Sequence, residues 1–139
     1  MQRLLQNTKL NQQIAPASRS AGTVNGTAVD ASLYTEASLL VDAGAIASAT
    51  TLDVTLQHSE DGSTNWNDIS GAAIVQLTAG AGGLASIGVN LALMSNKRKY
   101  LRASAVVGGS STAVYGVSLL LAGAEVVPVV NSPASVIVK

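Results

Sequence analysis

Leu52, Val54 and Leu56 alternate with Asp53, Thr55 and Gln57, and this period of two constrains the chain more than any other feature. In an extended strand, side chains two residues apart share a face, so three apolar groups point one way and three polar groups the other. A half-buried β-strand satisfies that pattern, and an amphipathic helix does not. The strand runs into Ser59-Glu60-Asp61-Gly62-Ser63, where Asp bonds its own backbone and Gly takes positive φ, as a reversal requires. The chain resumes with Trp66 and Ile69. Glu60 and Asp61 read as a solvated turn, because a helix-flanked calcium loop needs regularly spaced oxygen ligands ending in a bidentate Glu.

Composition extends this reading to the whole chain. Phe is absent, aromatic residues are 3% of the 139, and the apolar content is mostly Ala, Val, Leu and Ile beside 13 Gly. Small and β-branched side chains favour short strands and tight turns over helices. A chain of this length forms about one domain and hides roughly two-thirds of its unfolded surface. The expected fold is all-β: a single β-sandwich or jelly-roll-like domain of about seven to nine strands, with extended N- and C-terminal arms. Because aromatic area is scarce, Trp66 is expected to pack in the core or on the sheet.

The expected organisation has three parts. Residues 1–22, rich in Gln, Asn, Ser and Ala and containing Pro16, read as an extended arm outside the core. Residues 23–123 form the β-body. Residues 124–139 form a tail or edge strand, since Pro128 and Pro133 lack the amide hydrogens of a central ladder. Within the body, "TAGAGGLASI" (78–87) reads as a Gly-Ala reversal and not a phosphate loop, because no helical periodicity follows it. "LALMSNKRK" (91–99) is the one place for a short helical turn. "KYLRASAVVGGSSTAVYGVSLLLAG" (99–123) reads as a hairpin turning at Gly108-Gly109-Ser110-Ser111, with Leu101, Ala103, Ala105 and Val107 sharing one face.

Formal charge is zero, with seven of eight acids between Asp30 and Asp68 and a basic cluster at Lys97, Arg98, Lys99 and Arg102. Separated charge of this kind suits contact between copies, whereas nucleic-acid domains carry a clear positive excess, so neither a nucleic-acid nor a membrane partner is expected. The opening residues lack the sustained apolar region of a secretory signal, and Glu125 and Pro128 interrupt the last apolar run before membrane-helix length. With no Cys and a single His, thiolate and zinc sites are not expected. A Ser-His-acid system would have to use His58, which sits at a strand end without a nucleophile elbow. Asp53, Glu60, Asp61 and Asp68 fit turns and solvent faces better than a glycosidase pair. No catalytic residue, metal or cofactor is expected.

Two stretches, "SLLVDAGAIASATTLDVTLQHSEDGSTNWNDISGA" and "KRKYLRASAVVGGSSTAVYGVSLLLAGA", carry a resemblance. Over about residues 38–123, the strand, Asp-Gly turn, Trp and late strand pair resemble the small β-rich capsid decoration, or cement, proteins of tailed bacteriophages. The resemblance implies a non-enzymatic oligomer, often a trimer, on the outer surface of the capsid, made in the host cytoplasm, whose partners are the major capsid protein and itself. It carries over no site residue. The residues themselves point to contact work. Val126, Val127, Val129, Val130, Val136 and Ile137 are too apolar for a free tail and, with Arg3, Leu4 and Leu5, are the expected intersubunit contacts. Lys97, Arg98, Lys99 and Arg102 are the charged interface candidates. The competing class is a carbohydrate-binding β-sandwich using Trp66 with Tyr34, Tyr100 or Tyr115 as a stacking platform.

Overall fold

The computed structural model describes residues 4–93 and 99–125. A helical turn, Leu4–Asn7 (α1), precedes eight strands: β1 (Lys9–Asn25), β2 (Val29–Asp30), β3 (Glu36–Ile46), β4 (Thr50–Ser59), β5 (Asn67–Ala73), β6 (Leu77–Thr78), β7 (Gly83–Asn90) and β8 (Tyr100–Ala122). All pairings are antiparallel. The protein is therefore all-β, and its strand number falls in the expected range. The expected short helical turn is a 3₁₀ turn at Leu91–Leu93.

The register shows how the strands combine. β3 pairs with residues 113–122 of β8, and β4 pairs with residues 100–109, so β3 and β4 follow one another along the same edge of one long strand. On the far side, β7 pairs with β3, while β5 and β6 pair with β4. β1 runs along the other edge of β8, and β2 continues it. The chain thus forms four long lines, at residues 9–30, 36–59, 67–90 and 100–122, each bent near its middle into two packed layers. Corners made by strands that switch layers through bends and bulges are an established way to close a sandwich.

This arrangement corrects the late hairpin. Residues 100–122 form a single strand whose halves pair with different partners and not with each other. The Gly108-Gly109-Ser110-Ser111 segment is a corner: Gly109 has φ +95, and Ser110 N–H donates to Ala49 O at 3.3 Å. "TAGAGG" is likewise a corner. Its local turn, Ala81 N–H to Thr78 O at 2.9 Å, lets the line pass from β6 to β7 without reversing its sense along β4 and β3. β3 continues through Asp42-Ala43-Gly44 to Ile46.

The N-terminal segment also differs from expectation. From Lys9 it is a strand of the chain's own sheet, with Ile14 in the core. Pro16 is tolerated because β1 is an edge strand with register shifts on either side of it, and Gly116 leaves the room that the proline ring fills. Gln13, 7% exposed, spans the two layers. Its Oε1 accepts the Ala103 N–H at 2.8 Å and its Nε2 donates to Thr27 O at 3.0 Å, supplying backbone groups where β1 ends.

The inward faces of both layers meet in one cluster that includes Leu39, Val41, Leu52, Leu56, Leu101, Val117, Leu119 and Leu121. Each fully buried Leu contributes about 1.5–3 kcal/mol of transfer free energy. Tyr115 is the largest fully buried side chain. Its phenol is pushed above the usual tyrosine range by burial, with Arg19 acting in the opposite sense.

Candidate functional site

The reversal between β4 and β5 is organised by Asp61. Its Oδ1 accepts the N–H groups of Ser63 at 2.9 Å and Thr64 at 2.8 Å, and its Oδ2 accepts the Thr64 hydroxyl. Buried Ser59 ties the loop from beneath, with Oγ 2.6 Å from Thr64 O and accepting the Gly62 N–H at 3.2 Å. These donors, led by the Thr64 hydroxyl, hold the Asp61 carboxyl well below the usual carboxylate range. Gly62, at φ +74, lies so close to the Tyr100 ring that a Cβ would press on it. Asp61 therefore works as a turn organiser. Among the described residues, no group of three or more His, Asp or Glu is placed to hold a metal ion.

Beside this turn, the outer face of β4, β5 and β8 carries a polar ladder. Arg102 Nε donates to Gln57 Oε1 at 2.9 Å, and Gln57 Nε2 donates to Asp68 Oδ1 at 2.9 Å. The Arg102 guanidinium lies 4.3 Å from the centroid of the Trp66 ring. The pairing follows from β-register: Gln57 faces Asp68 on one side and Arg102 on the other. Trp66 is half-buried on the sheet's outer face and is not part of the core. One face of its ring is covered by Arg102, and Tyr115, only 1% exposed, is not available as a stacking partner for it. Tyr100 packs over Gly62 with Lys99 Nζ 5.3 Å from its centroid.

The expected interface residues are placed as follows. Leu4 and Leu5 open α1, at the chain's first described turn. Lys99 Nζ is 3.4 Å from Asp30 Oδ2, an exposed pair, and Arg102 is committed to Trp66 and Gln57. The basic cluster is thus divided between separate partners where it is described. Arg3, Lys97, Arg98, Val126, Val127, Val129, Val130, Val136 and Ile137 lie outside the described residues.

Sequence reasoning passed over the most exposed large apolar side chains among the described residues. Val75, Leu84 and Leu93 are 87%, 83% and 83% exposed, and all three fall on the third strand line or just beyond it. Residues 69–96 contain no charged residue, a signal readable from the sequence alone. β7 pairs with β3 on one side, and among the described residues no strand pairs with its other side. A cleft of about 280 Å³ separates its last residues, 88–90, from residues 69–72 of the opposite layer. A larger cleft of about 420 Å³ opens on the outer face at the same end, lined by Thr8, Glu36, Gly88, Asn90, Leu120 and Ala122 among others. Exposed apolar area along an unpaired strand is material for contact with another chain.

No family model and no curated protein matches this sequence. Among solved structures, the chain is similar to the PBSX exported protein XepA, with a TM-score of 0.61 and 15% identity. That alignment covers 100% of this chain and 45% of that one, so the chain spans less than half the length of XepA. An endospore appendage protein of Bacillus that forms disulfide-linked pili aligns at a TM-score of 0.45 and 12% identity, over 84% of this chain and 88% of that one. The CBM22-1-GH10 modules of Clostridium thermocellum xylanase 10B align at 0.43 and 9% identity, over 86% and 29%. The match to XepA establishes a shared β-fold.

Proposed function

We propose that this protein is a structural virion component that decorates and stabilises a phage capsid, binding the outer surface of the major capsid protein as a homo-oligomer, with a homotrimer as the expected form. The observation that carries this reading is the uncharged run of residues 69–96, with Val75, Leu84 and Leu93 as exposed apolar points spread along it on a small β-body. The family resemblance and the fold shared with XepA support the same direction. Repeated by symmetry, modest contacts of this kind give strong attachment through avidity. The action is binding, with no covalent chemistry, cofactor, nucleic acid or membrane in it. Residues 1–5 and 126–139 supply contacts between polypeptides.

Co-sedimentation of the purified chain with tailed-phage heads, followed by particle survival on heating, tests the proposal. Truncation must respect the fold: removing residues 1–22 deletes most of β1, so the informative deletions are 1–5 and 126–139. Bound, heat-protected heads that lose the protein when either segment is removed are the expected result. Heads that ignore the intact chain, or that bind and survive equally well without both segments, overturn it.

A further inference from the structure

We infer that the outer edge of β7 receives residues 134–139 of a second copy as an added strand. The inference deepens the decoration reading, from which it takes that the working form is an oligomer.

Among the described residues, the edge strands β1 and β7 are built differently. β1 carries Lys9, Arg19, Pro16 and three register shifts, which are the usual means of keeping other strands away. β7, GLASIGVN, has none of these: no charge, no proline and an unbroken register with β3 from Glu36↔Asn90 to Ala43↔Gly83. Its inward positions, Ala85, Ile87 and Val89, pack on or within the core, so Leu84, Ser86, Gly88 and Asn90 present the outer face. An edge so regular and uncharged is a template for main-chain pairing.

The occupant is indicated by the chain beyond the described body. Residues 126–139 read VVPVVNSPASVIVK, and Lys139 is their only charge. The two prolines divide the segment. Residues 134–139, ASVIVK, are proline-free and β-branched, the composition of a strand. Residues 126–133 contain Pro128 and Pro133, each of which restricts the residue before it to extended backbone. A proline-rich spacer of that length spans about 25 Å at roughly 3.1 Å per residue.

Position then selects a neighbouring copy. Glu125 N–H donates to Leu33 O at 3.0 Å, and Thr35 joins Ala122 to Leu91, accepting the Leu91 N–H at 2.7 Å and donating to Ala122 O at 3.1 Å. The chain therefore leaves the body at the end where β7 also finishes. Ala122 and Asn90 flank Glu36 in register, which puts a chain's own β7 edge about two strand spacings, roughly 10 Å, from β8. Reaching it takes a reversal, and Val126-Val127-Pro128-Val129-Val130, about 15 Å long when extended, contains no Gly, Asn, Asp or Ser to make one before Asn131-Ser132. A segment without a turn before Asn131 is long enough to pass its own edge, roughly 10 Å away, and on that ground residues 134–139 are assigned to another body.

The chain has no cysteine, so engineered disulfides report the contact cleanly. Ser86→Cys and Ser135→Cys chains of distinguishable mass are mixed at equal concentration, without capsids, and mildly oxidised. The expected result is a mixed disulfide several-fold more abundant than either self-pair and than the same mixture oxidised in denaturant, with the Leu84→Cys and Val138→Cys pair as a second register. Mixed disulfide no more abundant than in denaturant for both pairs overturns the inference, as does a double variant that closes its bridge within one chain. The readout is separate from capsid binding: heads that bind a chain showing no mixed disulfide would sink this inference alone, and a mixed disulfide without head binding would sink the decoration reading alone.

Discussion

The corner at Gly109 offers a controlled test of how the two layers are joined. Gly109 sits at φ +95 where β8 passes from one layer to the other, and a Cβ there would overlap the Ala49 carbonyl oxygen and crowd Thr50. Gly71 in β5 has a comparable φ, +78, but a Cβ there meets nothing within 4 Å. Both Gly→Ala changes incur the positive-φ cost of an L-residue, about 1–2 kcal/mol. Both recover about 0.4–1 kcal/mol through the less flexible unfolded chain. Only Gly109→Ala must also displace backbone of the adjacent corner, an overpacking cost of about 1–3 kcal/mol. Gly71→Ala is therefore expected to destabilise by about 1 kcal/mol and Gly109→Ala by about 3. At this chain length 1 kcal/mol moves Tm by about 3–5 °C, so the two variants should melt about 6–10 °C apart. Urea denaturation with unchanged slopes provides the free energies. Equal losses in the two variants would refute the argument that the corner is closely packed and that β8 is one bent strand.

Two further outcomes follow from polar groups. Replacing Gln13 with Leu leaves the Ala103 N–H and Thr27 carbonyl without their side-chain partner in a buried setting, a loss of about 1–3 kcal/mol, read by chemical denaturation; an unchanged midpoint would remove Gln13 from its spanning role. Asp61 has its carboxyl pKa depressed by folding, so its contribution is fully present above the ordinary Asp value of 3.8 and is lost as pH falls below it. Asp61→Asn should remove that part of the acid dependence of Trp66 fluorescence and leave behaviour near neutral pH less changed; identical acid profiles for the two proteins would contradict the turn assignment.

Much of the body was legible because its strands obey local rules. The alternation at Leu52, Val54 and Leu56 is reproduced as inward burial in β4, and Leu101, Ala103, Ala105 and Val107 are buried as the period requires. The corners were not legible, since Gly, Ala and Ser permit a bend as readily as a reversal. What separates the two is whether flanking halves pair with each other or with distant strands, and that is decided by β3 and β4. β1 was obscured because an edge strand needs little apolar material: Ile14 is its one buried large apolar residue. At the candidate site, Trp66 drew attention by its rarity, but its partner Arg102 is brought to it only by the pairing of β4 with β8. The uncharged run from 69 to 96 was open to view, although only the pairing pattern shows that part of it forms an exposed edge.

The four bent lines give the molecule a mechanical character of their own. Backbone passes from one face to the other within β8 and within β1, so a load on either face is carried into its opposite along strands. Under the decoration proposal, that continuity would spread the pull of each contact over both faces.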